Sequence, residues 1–158
     1  MGIALILLAS ASTYLGDGFL QFTRSPALLR DRIEIQVGVL SREGDGKTNY
    51  WARRIRTTTK SRTVQWADGR TCSGLEASLR QLSGLVHPKF AVPGLEESDN
   101  LVIAVDGVGY SITSQATFDQ QIGYLKYSSN RGTPLAAWVD ASLALLAPCW
   151  QDVQPLKG

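Results

Sequence analysis

The sequence predicts an α+β fold, an antiparallel sheet of about six strands with two helices packed on one of its faces. Three observations lead to this prediction. Residues 32–40 alternate between apolar and polar side chains, which is the period of a half-buried strand. Apolar stripes at helical spacing follow Ser73 and Pro134. Turn-forming residues at 43–47 and around Gly107 separate the extended segments.

The first predicted strand leads through the turn at 43–47 into a second strand. The apolar residues of the first strand share one face, and they are Ile33, Ile35, Val37 and Val39. In the second strand we expect Trp51 and Ile55 to face the core. Arg54 and Arg56 are then expected to face away, because alternate residues of a strand point to opposite faces.

A third strand is predicted to end at Asp68, and the first helix follows it. The apolar parity changes within residues 58–61, which indicates a turn or a bulge before this strand. Ser73 and Glu76 have the spacing of a helix capping box, and leucines recur after them at helical intervals. This region therefore predicts a strand, a turn and an amphipathic helix.

The second half of the chain suggests the same order of elements. A short apolar strand at 101–105 is predicted to form a hairpin with 108–112 through the turn Asp106-Gly107. Another strand at 121–128 precedes a helix that begins at Pro134. Three strands and a helix, followed by three strands and a helix, suggest a tandem βββα pseudo-repeat.

The start of the chain has features of an export signal. Residues 3–9 are continuously apolar, and residues 9–11 have the small-x-small form of a signal peptidase site. The apolar run is far shorter than the ~20 residues that span a bilayer, so we expect no transmembrane segment. We therefore expect a signal peptide at 1–11 and one periplasmic or secreted domain at 12–158. The alternative is a strand or buried segment at the start of a cytosolic domain.

The two cysteines of the chain, Cys72 and Cys149, form an even pair. An exported protein normally oxidises such a pair, so we expect a disulfide that joins the start of the first helix to the end of the second. This requires the two helices to lie side by side and antiparallel. Closing so long a loop stabilises a fold by roughly 4 kcal/mol. The alternative is two buried free thiols.

Positive charge is concentrated between Asp45 and Asp68, a stretch without any acid. Its six cations are Lys47, Arg53, Arg54, Arg56, Lys60 and Arg62. We predict that it binds an anionic polymer such as nucleic acid, an anionic glycan or lipid headgroups. The binding residues of this prediction are Tyr50, Arg53, Arg54, Arg56, Lys60 and Arg62. The alternative is an edge strand whose charges prevent aggregation.

Several kinds of chemistry have little support. Gly46-Lys47-Thr48 ends like a phosphate-binding loop, but the earlier glycine of that motif is replaced by Ser41, and a strand is predicted to follow instead of a helix. We therefore expect no nucleotide. His87 is the single histidine, which excludes a histidine-rich metal site, and the cysteines are too far apart for a redox motif. We expect no cofactor and no metal.

The sequence therefore favours a non-catalytic binding or accessory domain, with an anionic polymer or an envelope protein as its partner. One alternative is a carboxylate-dependent hydrolase of the cell envelope. The carboxylates available to it are Asp68, Asp106 and Asp119. The other alternative is a structural subunit of an envelope assembly, which needs either the N-terminal segment uncleaved or an exposed apolar surface. The residues that could form that surface are Phe19, Leu20 and Phe22.

Overall fold

A computed structural model describes residues 17–89 and 107–157. Its strands are β1 (Leu20–Pro26), β2 (Arg32–Arg42), β3 (Thr48–Thr57), β4 (Arg62–Asp68), β5 (Val108–Phe118) and β6 (Gln121–Ser129). Its helices are α1 (Ser73–Ser83), α2 (Pro134–Leu146) and a short 3-10 turn (Ala147–Cys149). Within these residues, no helix combines the length and the apolar character needed to cross a bilayer.

The strands form one antiparallel sheet of six strands in the order β4-β3-β2-β1-β5-β6. β1 joins the two halves of the chain, because Phe22 is the register partner of Ile35 in β2 and of Ile112 in β5. The α+β class, the six-stranded antiparallel sheet and the two helices are thus confirmed. β1 itself was not predicted, since only Leu20 and Phe22 alternate before the same face continues with Arg24.

The tandem βββα pseudo-repeat is not confirmed. Four described strands precede α1, and β5 and β6 are the described strands between α1 and α2. Residues 101–105 and Asp106 lie outside the described residues. The hairpin predicted for them with 108–112 therefore stays a prediction; among the described residues, 110–114 pair with β1 and with β6. A hairpin also follows β5, and Asp119 in its turn has a φ of 52°.

Helices α1 and α2 pack against each other in antiparallel orientation. Gly74 near the start of α1 lies against the end of α2, so that a Cβ added there would be 2.3 Å from the carbonyl oxygen of Leu145. One turn further along α1, the Ser78 hydroxyl donates a buried 2.7 Å hydrogen bond to Ser142. The indole of Trp138 donates to the backbone oxygen of Ser78 at 3.1 Å. These contacts confirm the predicted helix pair.

The predicted disulfide is confirmed. Cys72 and Cys149 are bonded, with 5.6 Å between their Cα atoms, and they join the start of α1 to the end of the helical segment after α2. Cys72 is itself the N-cap residue of α1, so the capping box predicted at Ser73 is not formed. The start of α2 is as predicted, because Thr133 caps it by accepting a hydrogen bond from the backbone of Ala136.

The main core lies between these helices and one face of the sheet, the helix-side face. At its centre, Phe22 of β1 meets the ring of Trp138 edge-on, with 4.8 Å between centroids. Leu20 and Phe22 are each only 1 % exposed. Phe19 is half-buried and packs edge-on against Tyr50. These three residues therefore do not form the exposed apolar surface expected of a structural subunit, because they lie in the core or pack against it. That prediction is wrong.

The orientation predicted for β3 is also wrong. Its residues on the helix-side face are Tyr50, Ala52, Arg54 and Arg56, as the register with β2 shows. Trp51 and Ile55 point to the opposite face, which we call the open face because no helix of the described residues packs on it. There Trp51 forms a second, small cluster with Leu40 and Trp66. The more apolar side of β3 is therefore not the side that meets the helices.

Candidate binding cleft

The residues of the predicted basic surface are divided between the two faces of the sheet. On the helix-side face lie Tyr50, Arg54 and Arg56. On the open face lie Arg53 and Arg62. Lys60 is in the turn between β3 and β4, where its backbone N–H donates to the Thr58 hydroxyl. The shared face of Tyr50, Arg54 and Arg56 is as predicted, but the six residues do not form one continuous surface.

Arg54 is engaged within the protein. Its guanidinium lies over the ring of Trp150, 4.7 Å from the centroid, and donates a hydrogen bond to the side-chain oxygen of Gln65. Burial lowers the pKa of the Arg54 guanidinium, although an arginine remains charged at neutral pH. Arg54 therefore attaches the segment that follows α2 to the sheet.

Arg56 is neutralised by a neighbouring carboxylate. Its Nε and Nη2 atoms donate to the two oxygens of Asp31, each at 2.8 Å. These hydrogen bonds hold the pKa of the Asp31 carboxyl below its ordinary value. An anionic partner would have to displace Asp31, so Arg56 is a poor anchor for it.

On the open face, Arg53 already has partners within the protein, and Arg62 lies beside a carboxylate. The Arg53 guanidinium lies 5.6 Å from the centroid of Trp66 and donates to Gln36. Its Nε is buried without a hydrogen-bond partner among the described residues. Arg62 lines a shallow depression of about 200 Å³ beside the carboxylate of Glu34. Arg32 lines the same depression, where it is paired with Glu34.

Edge protection does not explain the charges of β3. β3 pairs along both of its edges, with β2 and with β4, so it is an inner strand. The edge strand is β4, and the backbone of Trp66 exchanges hydrogen bonds of 2.7 and 2.9 Å with Gln151. The segment after α2 therefore covers part of this edge, and the alternative suggested by the sequence is wrong for β3.

A cleft of about 740 Å³ brings together cations from separate parts of the chain. It lies between the start of β3, the turn after β4 and α1. Lys47 comes from the β2–β3 turn, Tyr50 from β3 and Arg70 from the turn before α1, while Glu76 and Arg80 come from α1 itself. Hydroxyl groups add to its lining, and they belong to Thr48, Thr71, Ser73 and Ser83.

The Lys47 side of the cleft depends on the turn at 43–47, which is confirmed. The backbone N–H of Glu43 donates to Lys47 at 2.8 Å, and Gly46 has a φ of 88°, a conformation that favours glycine. Asn49 is buried and donates to the side chains of Ser41 and Glu43. A strand follows the turn, so these residues do not have the helix that a phosphate-binding loop requires.

The opposite side of the cleft depends on a close approach at Gly69. Its N–H donates to the Tyr50 carbonyl oxygen at 2.8 Å, and an added Cβ would lie 2.6 Å from that oxygen. Arg70 then donates from Nε and Nη2 to both carboxylate oxygens of Asp68, at 2.6 to 3.1 Å. This contact lowers the pKa of the Asp68 carboxyl. Arg70 also donates to the backbone of Leu156, so its position is well defined.

The cleft has an excess of positive charge. Three cations line it, Lys47, Arg70 and Arg80, but Arg70 is paired with Asp68 and Arg80 with Glu76, so the excess is the one charge of Lys47. Arg80 forms an exposed ion pair with Glu76, 2.6 Å between nitrogen and oxygen. The side-chain amine of Lys47 has no hydrogen-bond or ion-pair partner in the part of the chain that the structure describes. Such a set of donors suits a carboxylate, sulfate or phosphate group.

The pattern of charges in the sequence indicated only one side of this cleft. Lys47 and Tyr50 belong to the basic segment, whereas Arg70 and Arg80 were not singled out. The spacing of Ser73, Glu76 and Arg80 could have indicated one polar face of α1. No sequence pattern showed that this face lies opposite the β2–β3 turn, because the two segments meet only through the fold.

Among the described residues, the two carboxylates of the catalytic alternative, Asp68 and Asp119, do not form a pair. Asp68 is bonded to Arg70, and Asp106 lies outside the described residues. Asp119 follows β5, and three strands separate β5 from β4 in the sheet. At about 4.8 Å for each of the four steps between strands, β4 and β5 are roughly 19 Å apart, so Asp68 and Asp119 are at least that far from each other. Over residues 17–89 and 107–157, no three His, Cys, Asp or Glu side chains are grouped closely enough to hold a metal ion.

Comparison of the chain with models of protein families, with curated protein sequences and with solved structures finds no match in any of the three. The case for a function therefore depends on the geometry of the cleft and on the chemistry of its side chains.

Proposed function

We propose that this chain is an exported, non-catalytic binding domain that takes an anionic polymer in the cleft between β3 and α1. The observation that carries this proposal is the meeting of Lys47, Arg70 and Arg80 beside Tyr50. These residues come from three different segments, and the cleft is the place where the fold brings them together.

Two features support the export part of the proposal. Residues 3–11, which lie outside the described residues, have the apolar run and small residues of a signal peptide. The disulfide Cys72–Cys149 is of a kind that persists mainly in oxidising compartments such as the periplasm or the extracellular space.

The cleft is a better anion site than the basic strand. Arg53, Arg54 and Arg56 already have aromatic, amide or carboxylate partners. Lys47 is unpaired among the described residues, and the side chain of Arg80 is 78 % exposed. An exposed ion pair within a helix contributes little to stability, so an anionic ligand can replace Glu76 at little cost.

The test is a binding titration with two labelled anions, a heparin-derived octasaccharide and a single-stranded oligonucleotide. Lys47→Glu should weaken binding of the recognised polymer by at least about tenfold, because it places a negative charge in the cleft. The matched control is Lys126→Glu, which makes the same charge change on the open face of β6. This control should change the affinity by less than about twofold at 0.15 M salt.

The two probes decide the class of polymer. Tighter binding of the octasaccharide supports a glycan, and tighter binding of the oligonucleotide supports a nucleic acid. Equal loss of affinity in Lys47→Glu and Lys126→Glu would show a general charge effect and overturn the cleft as the site. Absence of binding to both probes at low salt would contradict the anionic ligand itself.

A further inference from the structure

Two adjacent leucines are exposed at one end of the sheet, in the loop that joins β1 to β2. Leu28 is 81 % exposed and Leu29 is 67 % exposed. Leu28 is the most exposed large apolar residue in the part of the chain that the structure describes. Single exposed apolar residues are ordinary, but a neighbouring pair at the tip of one loop forms an apolar projection.

Hydrogen bonds on both sides of the leucines fix this loop. Before them, the backbone N–H of Ala27 donates to the carbonyl oxygen of Gly107 at 2.9 Å. After them, the N–H of Asp31 donates to the carbonyl oxygen of Leu29 at 2.7 Å. The Asp31 carboxylate also accepts two hydrogen bonds from Arg56 of β3. A structured loop therefore presents the two leucines to the solvent.

Two other turns lie at the same end of the sheet. Thr57, the last residue of β3, is the register partner of Arg32 in β2 and of Arg62 in β4. The β3–β4 turn is therefore beside the leucine loop. On its other side β5 begins where β1 ends, and Ser129 at the end of β6 pairs with Tyr110 near the start of β5. Because neighbouring strands are about 4.8 Å apart, one flat surface can touch all three connections.

These connections carry positive charge that is not neutralised within the described residues. Two acids nearby, Asp31 and Glu34, are already paired with Arg56 and Arg32. Four further cations are exposed and form no ion pair with any described residue, and they are Arg30, Lys60, Arg62 and Arg131. We call these four cations and the two leucines the leucine end of the sheet. Exposed apolar side chains surrounded by cations are typical of surfaces that bind anionic lipids.

We propose that the leucine end docks on an anionic lipid bilayer. Leu28 and Leu29 enter the interfacial region, and the four cations contact acidic headgroups. A bilayer fits this combination because it offers negative charge at its surface and an apolar layer directly beneath. A nucleic acid or a glycan offers the charge without that layer. The leucine end is separate from the cleft, which lies at the start of β3, whereas the leucine end lies beside the last residue of that strand.

The test is co-sedimentation of the whole protein with two kinds of vesicle, phosphatidylglycerol mixed equally with phosphatidylcholine, and phosphatidylcholine alone. The wild type should bind the anionic vesicles at least about tenfold more tightly than the neutral ones. Leu28→Ser should weaken binding to the anionic vesicles by about tenfold, because the apolar contact is lost. The matched control is Ile122→Ser, since Ile122 is 75 % exposed but lies at the opposite end of the sheet. It should change the affinity by less than about twofold.

A second pair of variants tests the charge. Arg30 and Arg42 are both exposed, and they lie at opposite ends of β2. Arg30→Glu should weaken binding to the anionic vesicles by about tenfold, because it replaces attraction to the headgroups by repulsion. Arg42→Glu should change it by less than about twofold. The difference should decrease as the salt concentration rises. All four variants should keep the Tm of the wild type, because each replaced residue is exposed.

The proposal is overturned if the wild type does not bind anionic vesicles at low salt, or if Leu28→Ser or Arg30→Glu binds them as well as its control does. It is also overturned if the wild type dimerises without lipid in analytical ultracentrifugation and Leu28→Ser removes the dimer but not the vesicle binding. The leucines would then form a contact between two copies of the chain. None of these residues lines the cleft, so vesicle binding and binding of the octasaccharide or oligonucleotide are tested independently.

Discussion

The two faces of the sheet are stabilised in different ways, although they are built from alternate residues of the same strands. On the helix-side face, Phe22 and Trp138 belong to one continuous apolar core. On the open face, the neighbouring residue Thr23 instead exchanges a 2.7 Å hydrogen bond with Ser111, and Arg53 is stacked on Trp66. Burial of apolar area therefore stabilises the helix-side face, whereas individual polar contacts and the small cluster of Leu40, Trp51 and Trp66 stabilise the open face.

The two faces differ most in side-chain size at β3 and β4, where the helix-side face carries small residues. Ala52 and Ala67 are register partners, and both are completely buried in the cluster that also holds Cys72. The bulkier pair, Trp51 and Trp66, is on the open face. Small side chains in the sheet leave room for the disulfide and the start of α1, so a face can be the core without being the more apolar one.

The largest expected effect contrasts adjacent residues of β1. Phe22→Ala removes a core ring and should reduce the free energy of unfolding by about 3–5 kcal/mol. Thr23→Val keeps the volume on the open face and removes one hydrogen bond, so it should cost about 1 kcal/mol or less. Urea unfolding of both variants checks this. Similar losses for the two would contradict the difference between the faces.

An intermediate effect is expected where the helices of the core touch. Gly74→Ala places a methyl group 2.3 Å from a backbone oxygen of α2, so the helices must separate. We expect a loss of about 1–3 kcal/mol. Gly84→Ala is the matched control, since its nearest neighbour is 3.8 Å away and its φ of −97° suits alanine. Thermal unfolding should show a lower Tm for Gly74→Ala only, and equal Tm values would refute the close approach.

The smallest expected effect is the loss of the Asp68 ion pair at acid pH. Asp68 lies on the open face of β4. Asp68 has a lowered pKa because of Arg70, so its ion pair stabilises the fold above the unfolded pKa of about 4 and is lost as the pH falls through the folded value. Asp68→Asn should therefore lower stability by about 1 kcal/mol at neutral pH and reduce the acid dependence below pH ~4. The free energy of unfolding at pH 3 and pH 7 measures this. An unchanged acid dependence would exclude Asp68 as a contributor.

Local patterns were sufficient for much of the fold. The alternation of Ile33, Ile35 and Val37 predicted β2, and Thr133 with Pro134 predicted the start of α2. β1 was not predicted because its apolar alternation ends at Arg24. The charge of Arg24 is paired with Asp140 of α2, and a contact between residues so far apart cannot be seen in the sequence.

The candidate site was predictable only in part. Lys47 and Tyr50 belong to the charged segment that the sequence revealed, and Tyr50 lies in the cleft as part of β3. Arg70 and Arg80 contribute because Gly69 allows the chain after β4 to pass close to Tyr50. The arginines of β3 were overrated as ligands, since charge in a sequence does not show which intramolecular partner will satisfy it.

The sequence by itself determined the class of fold, the positions of most elements and the disulfide between Cys72 and Cys149, because these follow from short-range periodicity, turn residues and a single pair of cysteines. Only the tertiary structure decided the strand order, the face on which the helices pack and the meeting of Lys47 with Arg70 and Arg80. The physical reason is that strand pairing and helix docking depend on contacts between distant residues, whose free energies a local pattern does not contain.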